Sequence, residues 1–313
     1  MNILIAGGTG FIGQTLVSHL LTQNHTITVI GRSTEKIKKI FSEKVVALSW
    51  STLNLEIIKQ QVLIINLAGA NIGEKRWTPS QKQEIIASRI HPTSRLAEYC
   101  AKLGKQAPDL FNASAIGIYG LQKTEAQLPN AKDEFTPINF NEAPDFLAKV
   151  ARLWESACQP AIKAGVRVIN LRFAVVIAQN GGVFKKLALP FYFGLGGPIG
   201  SGQQAFCWVS LIDLVRAIDY LIYHKEVNGP VNIVSPNCLQ QKTVAKIIGK
   251  TLKRPSFIPT PGFILKLIYG QMAEELLLKG QHIKPTVLVN SGFTFAYPDL
   301  LPALLVNTAT TFR

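Results

Sequence analysis

Carboxylates are scarce in this sequence. Its 313 residues include 33 Lys plus Arg but only 19 Asp plus Glu, a formal charge of +14. A hydrophobic fraction of 47% excludes intrinsic disorder. The basic surplus is spread along the chain, its densest stretch being Lys36, Lys38 and Lys39 behind Arg32. A nucleic-acid partner is therefore not expected, and a basic proteome or anionic small ligands suit the charge better. Cysteine is sparse too: Cys100, Cys158, Cys207 and Cys238 are far apart and form no C-x-x-C, which reads as free thiols in a reducing compartment. Five histidines (19, 25, 91, 224 and 282) share no ligand spacing, so no metal is expected. No apolar run approaches the roughly 18 residues of a membrane span. Met1 to Gly8 lacks the basic start of a signal or transit peptide. The expectation is a cytoplasmic protein without a membrane partner.

What the chain does have is rhythm. Apolar runs at Asn2–Ala6, Thr26–Ile30, Val45–Leu48, Val62–Ala68, Leu110–Ser114 and Val166–Phe173 predict strands. Helical spacing fills the gaps at Phe11–Leu21, Leu53–Gln60, Pro79–Leu103 and Ala143–Ala164. Val62-Leu-Ile-Ile-Asn-Leu-Ala is apolar on both faces, as a central parallel strand must be. This alternation predicts a Rossmann-type, doubly wound parallel α/β sheet over residues 1–173. A smaller α/β substrate region follows over 174–313, with residues 205–235 partly returning to the first domain. It includes glycine-rich loops at Gly181-Gly182 and Gly194–Gly202, helices at Ile212–Tyr223 and Thr243–Leu252, and a strand at Val231–Val234. After Pro255, Pro259 and Pro261 comes an extension, 255–302, with one helical segment over Phe263–Lys279.

Gly7-Gly8-Thr9-Gly10-Phe11-Ile12-Gly13 closes the first strand and opens the first helix. Such a loop lets backbone approach a pyrophosphate, while the helix N-terminus offers unpaired N–H groups and partial positive charge. A side chain at Gly10 is expected to obstruct the pyrophosphate and to clash where strand meets helix. The second strand ends Ile30-Gly31-Arg32-Ser33, without the acid that receives the ribose hydroxyls of NAD. Arg32 can fork onto a 2′-phosphate and Ser33 can donate beside it, so NADP(H) is the expected cofactor.

On these motifs the chain resembles the extended short-chain dehydrogenases/reductases. Further matching segments are Asn66-Leu67-Ala68-Gly69, Ser114 through Tyr119-Gly120, Leu171 through Val176, and Gly200 through Trp208-Val209 and Asp213. The resemblance implies that Leu67, Ala68, Gly69, Phe173 and Val176 also line the cofactor. A narrower resemblance, to the epimerase family proteins with a C-terminal extension of unknown function, rests on Asn71–Pro79, Ser88-Arg89-Ile90, Phe146-Leu147-Ala148 with Trp154-Glu155, Gly194–Gly200 and Gly292–Pro298.

The superfamily's proton-transfer pair, Tyr and Lys one helical turn apart, is missing. Phe146 and Val150 occupy those positions, and Lys149 is about 100° around the helix. The catalytic Ser/Thr position falls on Ala115, the helix asparagine on Arg89, and the arginine that grips a sugar-nucleotide diphosphate on Phe206. Ser114, Tyr119 and Arg89 are the candidate catalytic residues, with Glu74 and Arg76 near the cleft. Trp77 and Trp208 are read as packing, and Asp213 as a helix cap. The expected function is NADP(H)-dependent, oxidoreductase- or epimerase-like chemistry on a small unknown substrate. The alternative is a non-catalytic NADP(H)-binding sensor or scaffold. A homodimer is left open.

Overall fold

The computed structural model describes residues 1–122, 131–179 and 181–306; the chain's last seven residues, 307–313, lie outside the described residues. The strands are β1 (Asn2–Ala6), β2 (Thr26–Gly31), β3 (Val46–Ser49), β4 (Leu63–Asn66), β5 (Asp109–Ala115), β6 (Val168–Phe173), β7 (Val175–Ala178), β8 (Gly181–Gly182), β9 (Ala205–Phe206), β10 (Trp208–Ser210), β11 (Gly229–Ile233) and β12 (Leu239–Gln240). Seven of them form one sheet in the order β11-β6-β5-β4-β1-β2-β3, every pair parallel. The inner strands are buried on both faces, β4 along its whole length, which explains their unbroken apolar runs.

The helices are α1 (Phe11–Thr22), α2 (Thr34–Phe41), α3 (Leu55–Lys59), α4 (Pro79–Leu103), α5 (Phe146–Ser156), α6 (Gln159–Lys163), α7 (Phe184–Tyr192), α8 (Leu211–Tyr223), α9 (Gln241–Leu252), α10 (Gly262–Tyr269), α11 (Gln271–Ala273), α12 (Thr286–Asn290) and α13 (Leu300–Leu305). Side chains start many of them: Ser33 caps α2, Thr78 caps α4 ahead of Pro79, Asp145 caps α5 and Ser210 caps α8. One core layer joins the sheet to α1, α8 and α12; the other packs α4 and α6 against the opposite face.

Three readings from the sequence need correction. The helix expected over Ala143–Ala164 is two helices, because Ala157 and Cys158 end one and Pro160 opens the next. The segment expected over Phe263–Lys279 breaks at Gly270, whose φ of +60° is left-handed, into α10 and a short continuation. Gly181-Gly182 is paired backbone, antiparallel to β7.

Candidate cofactor-binding site

The strand order reverses between β1 and β4, and a doubly wound sheet binds ligands at the carboxyl ends of the strands flanking such a switch. The glycine loop lies there. Gly7 has φ +76°, and a Cβ on it would come within 2.6 Å of the Leu67 carbonyl. A Cβ on Gly13 would lie 2.4 Å from the Gly7 carbonyl oxygen and 2.7 Å from Gly8 Cα. Gly10 differs. Its backbone is extended (φ −79°, ψ 176°), and an added Cβ meets only the Gly7 oxygen, at 3.2 Å. The strand–helix clash expected at Gly10 therefore belongs to Gly13, which crosses the turn, whereas Gly10 borders open space.

Helix α1 starts without a side-chain cap and without an acid in its first turn. Its leading N–H groups, at Phe11, Ile12 and Gly13, have no intrahelical acceptor and face an uncompensated positive helix end. Thr9 is half-buried, its carbonyl accepting from Gln14 Nε2 at 2.9 Å. Phe11 lays its ring on Gly181-Gly182, where a Cβ on Gly181 would lie 2.2 Å from the ring.

At the end of β2, Arg32 is exposed and its guanidinium has no partner among the described residues. Ser33 accepts from Lys36 N at 3.1 Å as the cap of α2 and donates to Glu35 Oε2 at 2.8 Å. Glu35 was missed in the sequence, because only its place in α2 brings it back to Ser33. A bond from its own backbone N–H, then those from the Ser33 and Thr34 hydroxyls, hold its carboxyl below the usual range.

Beyond β4, the Ala68 N–H donates to Asn66 Oδ1 at 3.2 Å, and Ala70 is held from both sides. Its N–H donates to Ser88 Oγ and its carbonyl accepts from Arg89 Nη2 at 3.1 Å. Arg89 is buried, stacks over Trp154 and also donates to the Ile85 carbonyl; burial pulls it down to about 10. Leu67 and Ala68 are half-buried and Gly69 exposed, with the Arg89 side chain beneath it. Phe173 and Val176 are half-buried where β6 passes into β7.

Ser114 and Tyr119 are enclosed. The Ser114 hydroxyl donates to Glu155 Oε1 at 2.7 Å, and Arg172 binds both oxygens of that carboxylate at 2.8 and 2.9 Å. A third Arg172 nitrogen donates to the Tyr119 hydroxyl, which donates in turn to Asn232 Oδ1 at 2.9 Å. Burial pushes the Tyr119 phenol up to about 12, against the pull of Arg172. The Glu155–Arg172 pair escaped notice in the sequence, since no spacing rule joins residues 155 and 172. Arg89 is not part of this chain of contacts.

Phe146 and Val150 stand in an apolar cluster with Trp77, Ile85 and Met272, the Phe146 and Trp77 rings meeting edge to face at 4.8 Å. Lys149 is exposed on another face. The C-terminal extension reaches this point as well: Glu275 accepts from Leu147 N at 3.0 Å, and Gln271 braces Glu275 at 2.6 Å. Glu74 and Arg76 are exposed, the Arg76 guanidinium lying beside Gly270. Asp213 follows the Ser210 cap and holds the extension as well, accepting from Ala296 N and Tyr297 N at 2.8 Å each. Trp208 is fully buried, and Phe206 packs beside it. A separate cavity of about 520 Å³, lined by Gln159, Arg167, Lys225 and Pro230 among others, opens where β6 and β11 begin, at the strand ends remote from the glycine loop.

This arrangement recurs in known proteins. Residues 3–234 match the NAD dependent epimerase/dehydratase family, and residues 260–305 match a domain of unknown function, DUF1731. The epimerase family protein YfhF of Bacillus subtilis is 34% identical over 306 residues, covering 97% of both chains. The chloroplastic SDR39U1 homolog of Arabidopsis thaliana is 35% identical over 311 residues, covering 97% of this chain and 86% of its own. The crystal structure of human epimerase family protein SDR39U1 (isoform 2) with NADPH superimposes with a TM-score of 0.83 at 29% identity, covering 97% of this chain and 98% of that one. The parallel sheet, the glycine turn at its switch point and these matches over nearly the whole length lead to one conclusion: the chain belongs to the NAD dependent epimerase/dehydratase family.

Proposed function

We propose that this protein binds NADP(H) in the crevice between β1 and β4. The observation carrying this reading is the bare N-terminus of α1, open above Gly10, together with the partnerless Arg32 at the end of β2. The residues fit the group. Gly7, Thr9, Gly10, Phe11, Ile12 and Gly13 would hold the pyrophosphate, and Arg32 with Ser33 the 2′-phosphate. Leu67, Ala68, Gly69, Phe173 and Val176 would line the remainder. That the human relative's structure contains NADPH supports the choice of nucleotide. Bound NADPH would supply a hydride, and the protein its position.

The proton is where this chain departs from its superfamily. Phe146 has no exchangeable hydrogen, and Val150 no charge with which to lower a neighbour's pKa. Ser114 and Tyr119 spend their hydrogen bonds on the Glu155–Arg172 pair, so we assign them to bracing β5 and β6. Turnover on ordinary nucleotide sugars should be slow or absent, and oxidoreductase- or epimerase-like chemistry should fall on a small substrate whose proton is carried by water or by groups entering with it. The filled position around Phe146 also favours a second reading, an NADP(H)-binding sensor or scaffold without turnover. Calorimetric titration with NADPH and NADH, followed by a carbonyl-substrate screen for NADPH oxidation, tests both. Equal affinity for the two nucleotides would remove the cofactor assignment. Substrate-dependent oxidation would separate the enzyme from the sensor.

A further inference from the structure

Among the described residues no helix is long and apolar enough to cross a membrane. That concerns spanning, and the surface carries a different feature. Helix α10, Gly-Phe-Ile-Leu-Lys-Leu-Ile-Tyr, has no buried residue. Phe263 is 73% exposed and Leu267, one turn on, 77%. A second apolar stretch lies beside it: Phe193 is 73% exposed, Leu195 stands free after α7, and Phe257 is 76% exposed. Backbone hydrogen bonds join the two stretches, Ile258 N to the Gly196 carbonyl at 3.0 Å and Thr260 N to the Pro198 carbonyl at 2.8 Å. They form one surface. Isolated exposed apolar side chains are ordinary; aromatic and aliphatic side chains this large, adjacent and this exposed mark an interaction site.

Charge selects the partner. The basic residues of the chain are spread out, but the acids are not: none occurs between Glu155 and Asp213, and none between Glu226 and Glu274. Within the second gap, Lys242, Lys246 and Lys250 form a stripe at helical spacing on the exposed side of α9, followed by exposed Lys253, Arg254 and Lys266. Of these, Lys266 has a carboxylate near it, Glu274 at 3.8 Å, which Lys279 shares at 2.6 Å. A second copy of the chain would set this basic surface against itself, at a cost in repulsion. An anionic bilayer offers the opposite sign at its headgroups and hydrocarbon beneath, the pairing that interfacial helices use.

We infer that α10 and the adjoining 193–195 and 257–258 segments dock on an anionic lipid bilayer, with Phe263, Leu267, Phe257 and Phe193 entering the interface and the α9 lysines lying over the headgroups. The full chain should co-sediment with phosphatidylcholine vesicles containing 30% phosphatidylglycerol and stay in solution with phosphatidylcholine alone. Binding should weaken as salt is raised. Phe263→Ser with Leu267→Ser should reduce it by at least about a hundredfold, since each such side chain moved from water to hydrocarbon is worth about tenfold or more. Lys253→Glu with Arg254→Glu should reduce it by roughly fivefold per charge removed. Val289→Ser, another exposed apolar position, should leave it unchanged. All three variants should keep the wild-type melting temperature and NADPH affinity, because none of these side chains is buried. No sedimentation with either vesicle, equal sedimentation with both, or full binding by the serine double variant would overturn the inference. So would a lipid-free dimer in analytical ultracentrifugation that the same double variant dissociates, which would assign the surface to a second copy.

Discussion

The glycine loop makes two substitutions three residues apart behave in opposite ways. At Gly10 the backbone is extended, a conformation any residue adopts, and an added Cβ meets one atom at 3.2 Å. Gly10→Val should therefore keep the fold, losing about 1 kcal/mol at most as a poorer helix cap. The side chain would, however, stand over the N–H groups of Phe11 and Ile12, keeping a pyrophosphate oxygen from reaching them. A hydrogen bond to a charged group is worth about 1.5–3 kcal/mol, so losing one weakens NADPH by roughly tenfold to a hundredfold and losing two multiplies the effect. At Gly13 the added Cβ would sit 2.4 Å from the Gly7 oxygen and 2.7 Å from Gly8 Cα, both backbone. Gly13→Ala should destabilise the protein by about 1–3 kcal/mol, as overpacking does elsewhere, and lower Tm by several degrees. Scanning calorimetry and NADPH titration on the same preparations separate the two effects. A Gly10→Val protein with an unchanged Tm and an NADPH Kd within threefold of wild type would refute the reasoning, and the loop would then be a structural turn.

Arg32→Ala should weaken NADPH by about tenfold or more, from one lost charge-assisted pair, and leave NADH unchanged; paired Kd measurements check it. Glu35→Gln should tighten NADPH by roughly two- to fivefold, because a like charge leaves the neighbourhood of the 2′-phosphate, and the gain should vanish in high salt. Glu155→Gln leaves Arg172 buried against half a partner and should cost about 3–5 kcal/mol, read as a lower urea midpoint. Phe146→Tyr with Val150→Lys should fail to restore carbonyl reduction and should destabilise by at least about 3 kcal/mol, since the lysine would be buried among Trp77, Ile85 and Met272; a stable, active double variant would show that the cluster is no obstacle.

Much of the fold could be read from the residues because burial writes itself into the pattern. β1 and α4 match their expected bounds at both ends, Asn2–Ala6 being an apolar run and Pro79–Leu103 having Thr78 and Pro79 as a start signal. Pro92, which would end a helix read locally, does not interrupt α4. Helix α2 was not read, because its eight residues bury only Ile37 and Phe41. α7 and α13 bury residues at helical spacing, Phe184, Ala188 and Phe191 in one and Leu300, Ala303 and Leu304 in the other, but both are short and each contains a proline, Pro190 and Pro302, which reads locally as a break.

The site divides along the same line. The glycine loop and Arg32 are contiguous with the elements that position them, so their chemistry stays next to them in sequence. The side chains around Phe146 are not local to it in sequence. Set against the superfamily's tyrosine, Phe146 says nothing of its surroundings, whereas in the structure its ring meets that of Trp77 edge to face at 4.8 Å. The extension inserts Met272 beside Phe146 and sets the Glu275 carboxylate on the first N–H groups of α5, while Asp213 holds residues 296 and 297 of the same extension against α8. A charged lysine at 150 would have to be dehydrated next to Met272, whereas the Phe146 ring has Lys82 Nζ 5.1 Å from its centroid besides its apolar neighbours. Burying a charged lysine at 150 is therefore what the extension, as packed here, opposes. With Met272 and Glu275 in these positions, an apolar residue at 150 has a physical reason independent of any substrate.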